Sequence, residues 1–168
     1  MQRRTLLTLG LVSGTALAVA GAGAAVWTPG WREGRLSQPA RVLFASVARA
    51  VLEGVLPQDP AVQAVALKGH LDRLDTLIAG LQPATRAELS DLLALLCTAP
   101  GRWALAGLGP AWSEAPMADV QSALQAMRVS GSAVRRQVYQ ALRDLSNGAW
   151  FADAGSWELL GYPGPFRL

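Results

Sequence analysis

Cysteine, histidine and lysine each occur once in this 168-residue chain, as Cys97, His70 and Lys68. A single cysteine excludes an internal disulfide. One histidine and one cysteine, 27 positions apart, do not make the convergent ligand set of a zinc site. No Cys-x-x-Cys-His is present to attach a haem. Strand signals are nearly absent, so no Gly-x-Gly-x-x-Gly follows a strand to cradle a phosphate. Acidic residues are missing before Glu33. With Arg3 and Arg4 set aside, 13 of the 15 basic side chains remain against 12 acidic ones, and no basic stripe marks a nucleic-acid footprint.

The N-terminus carries the clearest positive signal. Met1-Gln2-Arg3-Arg4 is followed by an apolar, small-residue run from Thr5 to Val26. A positive start before an apolar stretch is the layout of a secretory signal. The adjacent Arg3 and Arg4 just ahead of Leu6-Leu7 narrow it to the twin-arginine export signal, which a receptor reads as an address. Gly10, Gly14, Gly21 and Gly23 dilute the run, so it is only mildly hydrophobic. Small-residue cleavage sites recur from Ala16-Leu17-Ala18 to Ala22-Gly23-Ala24. The 22 residues are also long enough to span a hydrocarbon core, which needs about 20. Residues 1–26 are therefore a cleaved signal peptide or an uncleaved anchor, and both readings stand. Twin-arginine export carries folded cargo, which implies a cofactor or a partner assembled before transport. The expected destination is the periplasm or the periplasmic face of the inner membrane.

Beyond a linker at residues 27–38, residues 39–168 suit one domain of helices. Pro39 opens the first, with Phe44, Val47, Val51 and Val55 on one face until Leu56-Pro57 stops it. Asp59 is a ready N-cap with Pro60 behind it. That second helix carries the stripe Leu67, Leu71, Leu74, Ile78 and Leu81, and Lys68 and Asp72 are spaced to pair on another face. Thr85-Arg86-Ala87-Glu88 has capping-box spacing ahead of Leu89, Leu92, Leu93 and Leu96. Pro100-Gly101 breaks the chain, and Gly101 to Pro116 reads as irregular, with at most a short helical turn near Trp103. Pro116 opens a helix with Met117, Val120, Leu124 and Met127 inward. The last helix sets Val134, Val138, Ala141, Leu142 and Leu145 inward and is closed by Asn147-Gly148. Five amphipathic helices with short connections make an all-α bundle with an irregular, aromatic, Gly/Pro-rich C-terminal tail.

Catalytic chemistry is hard to place on these residues. A nucleophile needs a base beside it, and His70, flanking the apolar stripe of its helix, reads first as a partly buried structural histidine. Asp72 and Asp75, beside Lys68 and Arg73, read as a solvated helix face. Cys97 lies in a leucine-rich run and reads as a buried thiol, with an intermolecular bridge as the alternative. Arg135-Arg136 and Arg143 suit an exposed face, with an anionic partner surface as the alternative. Six tryptophans are the larger signal. Trp27 and Trp31 follow the leader, where amphipathic rings suit a membrane interface. Trp103, Trp112, Trp150 and Trp157 either fill the core or anchor a protein interface.

The C-terminal run holds Leu142-Arg143, then Trp150-Phe151, then Trp157-Glu158-Leu159-Leu160-Gly161-Tyr162-Pro163-Gly164-Pro165. Pro163 and Pro165 fix their own φ and Gly164 permits a positive one, giving a rigid turn that displays Trp157 and Tyr162. This order resembles the gluconate 2-dehydrogenase subunit 3 family, whose members have a twin-arginine leader and close on Trp-x-x-Leu-Gly-Tyr-Pro-Gly. Val55-Leu56-Pro57-Gln58-Asp59 is similar to that family's Leu-Pro-x-Asp segment. Trp150-Phe151 stands where members often carry a Gly-Tyr-Tyr-like segment.

The resemblance implies a small, non-catalytic subunit that escorts and stabilises a flavin-dependent sugar or alcohol dehydrogenase of the glucose–methanol–choline type. The flavin (FAD) would belong to that large subunit and no cofactor to this chain; a cytochrome c subunit commonly completes such assemblies. Trp150, Phe151, Trp157, Gly161, Tyr162, Pro163 and Gly164 are then the expected partner-binding residues, and no catalytic or metal-ligating residue is expected. The other expected partners are the twin-arginine translocase and, through an uncleaved leader, the membrane. Two other readings remain open: a free-standing exported enzyme using His70, and a membrane-anchored helical domain without an oxidoreductase link.

Overall fold

The computed structural model describes residues 28–157 and Gly161. The leader, with Arg3 and Arg4, and Tyr162, Pro163 and Gly164 lie outside the described residues. Two short strands, β1 (Trp31–Arg32) and β2 (Arg35–Leu36), are followed by six helices. These are α1 (Gln38–Val51), α2 (Pro60–Ala79), α3 (Pro83–Cys97), α4 (Ala99–Ala106), α5 (Met117–Arg128) and α6 (Ala133–Phe151), before a 3₁₀ turn at Ala154–Ser156. The all-α expectation holds, with one helix more than the periodicity suggests. Among the described residues no helix is long and apolar enough to cross a membrane.

Helix α1 occupies the middle, touching α2, α3, α5 and α6. Its Leu43, Phe44 and Val47 are fully buried with Leu74 and Ile78 of α2, Leu93 and Leu96 of α3, Met127 of α5 and Leu142 of α6. Asp59 caps α2 as expected: its Oδ1 accepts from the backbone N–H of Ala61 at 2.9 Å and of Val62 at 3.0 Å. Ser132 caps α6 in the same way through the N–H of Arg135.

Several local expectations need correction. The segment read as a linker folds into the β1–β2 hairpin, pairing Trp31 with Leu36 and Arg32 with Arg35. Glu33 (φ 53°) and Gly34 (φ 81°) form its turn, and two successive positive φ values suit the right-handed twist of a two-residue hairpin. Gly30 lies so close to α3 that a Cβ there would meet Leu93 and the Ser90 carbonyl, and Trp31, half-buried, packs on the core. Second, α3 begins at Pro83 with Gln82 as its cap, so Thr85 and Glu88 sit inside the helix and form no capping box. Proline at the first helical position needs no N–H partner there, and this sets the start earlier.

Third, the Gly101–Pro116 stretch is ordered by α4 and Trp112. Thr98, not Pro100-Gly101, makes the break, and its hydroxyl accepts from the Gly101 N–H at 3.1 Å. Trp112 is buried, its Nε1 donates to the Leu96 carbonyl at 2.9 Å, and its own carbonyl accepts from Ser46 Oγ at 2.6 Å. Fourth, α6 runs through Asn147-Gly148 to Phe151 because Gly148 lies against Leu77 of α2, where a bare Cα packs closely. Met117, expected inward, is 47% exposed at the first turn of α5.

Asp75 is the least expected structural residue. Its side chain is 13% exposed. One oxygen accepts from the Leu36 N–H at 2.8 Å and the other from Arg41 Nη1 at 2.6 Å, so β2, α1 and α2 meet on one carboxylate. Asp72, the neighbour at i−3, takes Arg41 Nη2 and Lys68 Nζ, both at 2.9 Å. The pair read as a solvated face is therefore half interior. Asp75→Ala removes two charge-assisted bonds and leaves Arg41 and an amide unpaired; a loss of about 2–3 kcal/mol is expected in urea unfolding. Lys68→Ala breaks only an exposed pair and should cost less than about 0.5 kcal/mol in the same measurement.

Candidate functional site

Among the described residues, the surroundings of His70, Cys97 and Asp72 shift their ionisation. His70 is 0% exposed, and neither ring nitrogen has a hydrogen-bond partner. Burial, reinforced by the nearby Arg73 charge, lowers its pKa to about 4, so the ring is neutral at physiological pH. Burial pushes the Cys97 thiol up to about 11, with Arg102 opposing, which disfavours the nucleophilic thiolate. Asp72 is held below the usual carboxylate range by its bonds to Lys68 and Arg41. Among the described residues no group of three or more His, Cys, Asp and Glu side chains is placed to hold a metal ion.

Of the residues expected to bind a partner, Trp150, Phe151 and Trp157 lie where α6 ends against α2, and they divide into an inner and an outer set. Trp150 belongs to the inner set: it is 6% exposed, packed with Ala48, Leu52, Leu56 and Leu67. Its ring centroid stands 6.2 Å from that of His70, the planes inclined by 56°. Because α6 continues past Gly148, Trp150 is turned onto α2 and is not displayed on a tail. Phe151 and Trp157 are half-buried, and Trp157 Nε1 donates to the Phe151 carbonyl at 2.8 Å. Gly161 is exposed with φ 67°, a conformation glycine adopts without strain.

Arg73 fixes this aromatic end. Its Nε donates to the Ala149 carbonyl at 2.8 Å, and its Nη1 meets Asp153 Oδ2 at 2.9 Å. Asp153 in turn caps the 3₁₀ turn, its Oδ1 accepting from the Gly155 N–H at 3.1 Å. One cation on α2 thus holds both the last turn of α6 and the segment leading to Trp157. Sequence periodicity did not single Arg73 out; the signal was its position three residues past His70, facing the helix that carries Trp150.

A second surface feature lies between α1, α5 and α6. It is an open depression of about 310 Å³ lined by Val51, Gln121, Leu124, Gln125, Tyr139 and Arg143 among others. Of Leu142-Arg143, Leu142 is fully buried in the core and Arg143 lines the depression, beside Asp144. No protein-family model, no curated protein and no solved structure matches the chain. The resemblance of its tail rests on the residues quoted for it.

The depressed His70 pKa carries a pH dependence whose sign is fixed. The unfolded imidazole takes a proton near its ordinary value of 6.5, while the folded one resists until about 4. This contribution is complete above about pH 6.5 and is lost as pH falls toward about 4, amounting to up to about 3 kcal/mol. Unfolding free energies of wild type and His70→Leu are followed from about pH 7.5 to 4; as pH falls, the wild-type value should drop relative to the variant by up to about 3 kcal/mol, and parallel curves would show that His70 is not buried neutral.

Proposed function

We propose that the chain is a non-catalytic small subunit that escorts a folded, flavin-dependent sugar or alcohol dehydrogenase through twin-arginine export and stabilises it afterwards, at the periplasmic face of the inner membrane or in the periplasm. The observation that carries this reading is the C-terminal constellation: a helical domain in which Arg73 and Asp153 hold the segment carrying Phe151 and Trp157, shortly before the Leu-Gly-Tyr-Pro-Gly motif. Aromatic side chains fixed by their own domain lose little freedom on binding, which suits an interface anchor.

Arg3 and Arg4 supply the export address, and folded transport explains why a subunit without chemistry of its own would carry it. FAD would be bound by the large subunit, and a cytochrome c subunit would extend electron transfer from it. An enzyme working through His70 draws little support, since a reactive imidazole must reach its substrate and this one lies under Trp150.

The decisive experiment isolates the C-terminally tagged chain from native membrane and periplasmic fractions and records its absorption spectrum. A larger co-purifying chain with oxidised-flavin bands is expected; a colourless single chain from both fractions would sink the proposal. Trp157→Ala should weaken the complex at least about tenfold while leaving the far-ultraviolet helical signal unchanged. Loss of helicity would place Trp157 among the residues that hold the fold.

A further inference from the structure

Among the described arginines, Arg32, Arg41, Arg73 and Arg143 each stand within 4 Å of a carboxylate. Arg86, without one, donates to the Ala79 carbonyl at the end of α2. Arg102, Arg128, Arg135 and Arg136 also have no carboxylate of the described residues within that distance, and each is oriented by a carbonyl oxygen. Arg102 Nη2 donates to the Gly109 carbonyl at 3.0 Å, Arg128 Nε to Gln125 Oε1 at 2.9 Å, Arg135 Nε to the Leu105 carbonyl at 2.8 Å and Arg136 Nη1 to the Ser130 carbonyl at 2.5 Å. Each commits one of its five N–H donors in this way. No Asp or Glu occurs from residue 92 to 113 or from 120 to 143, so the charge is uncompensated along two stretches that the fold brings together. The Arg135 bond joins the start of α6 to the end of α4, and the α5–α6 turn lies beside both.

Trp103 completes the face. It is 70% exposed on α4, one turn before Gly107, whose N–H donates to the Trp103 carbonyl at 2.9 Å. Arg135 Nη2 lies over Gly107, 3.5 Å from where a Cβ would stand, so the indole and this guanidinium share one side of the helix. Arg102, beneath them, is 7% exposed with its Nε unpartnered, an expensive state for a cation without a counter-charge. Capping of the α4 C-terminus accounts for the Arg135 bond but not for four guanidiniums without a carboxylate on α4 and on the α5–α6 segment that packs against it.

The geometry points to a docking face at α4 and the α5–α6 turn for an acidic protein surface, with Trp103 entering an apolar slot flanked by carboxylates. Guanidiniums clamped by carbonyls hold fixed directions, which matches carboxylates held by a fold; fluid lipid headgroups gain little from fixed directions. This rests on the escort reading, in which the acidic surface belongs to the flavoprotein, and it adds a second contact remote from Trp157.

The test uses the co-purified flavoprotein as the probe, with binding to the full chain followed at low and high salt. Trp103→Ala is expected to weaken binding about 30-fold. Arg136→Glu, exposed and not needed to hold α4, should slow association about tenfold at low salt, with the difference shrinking as salt rises. Thermal unfolding of both variants should match wild type. Binding within twofold of wild type in both variants overturns the docking face and leaves the escort reading intact. Failure of the wild-type chain to hold any flavoprotein overturns both. Unchanged flavoprotein binding with loss of affinity for phosphatidylglycerol vesicles would assign the face to membrane and overturn the proposal.

Discussion

A single carboxylate, Asp75, fixes the arrangement on which the other contacts depend. Its two oxygens take an amide from the N-terminal hairpin and a guanidinium from α1, so three segments of different sequence position are set by one group on α2. Charge-assisted bonds of this kind are short and directional, and in a partly buried site they are screened little by solvent. Once α1 is held to α2 in this way, its remaining faces are available to α3, α5 and α6. Phe44 and Val47 are then closed off from water on every side. Apolar burial supplies most of the stabilisation, and Asp75 selects which packing receives it.

The seam between α2 and α6 follows from that placement. Arg73 lies two residues before Asp75 and reaches the last turn of α6, so the same helix that organises the hairpin also positions the aromatic end. His70 and Trp150 fill the space between the helices with polar atoms unpartnered, each a cost of about 1–3 kcal/mol that surrounding apolar contacts must offset. The seam holds Phe151 and Trp157 in place and contains an imidazole whose pKa burial lowers to about 4.

What could be read from the sequence was what depends on neighbours along the chain. The Asp59 cap, the Leu67–Leu74–Ile78 stripe and the Lys68–Asp72 pair are interactions within four residues, and the structure has them where the spacing puts them. The missed features depend on partners far along the chain. Asp75 was read as solvated because its counter-ion comes from α1; the available hint was its place four residues after Leu71 and three before Ile78, at the edge of the buried stripe. Gly148 suggested a helix end because glycine is a common stop, and only the approach of Leu77 from α2 keeps the helix going to Phe151. Trp112 orders a Gly- and Pro-rich stretch through carbonyls on α3 and a hydroxyl on α1, which no local pattern announces.

Charge shows the same division between what the chain satisfies internally and what it presents. On the α1–α2–α6 side the two guanidiniums that organise the fold are paired with carboxylates: Arg41 with Asp72 and Asp75, Arg73 with Asp153. Around α4 and the start of α6 the acids run out while the arginines continue. A domain selected only for its own stability gains nothing from burying Arg102 against a lone carbonyl, because a neutral side chain of similar shape would avoid the desolvation cost. Near-neutral overall charge conceals this polarity, since 13 basic and 12 acidic side chains beyond the leader are unevenly distributed between the two sides. An uneven distribution orients a molecule as it approaches an oppositely charged surface, which net charge alone does not. The side that is electrostatically complete builds the fold, and the other side presents arginines that no carboxylate among the described residues compensates.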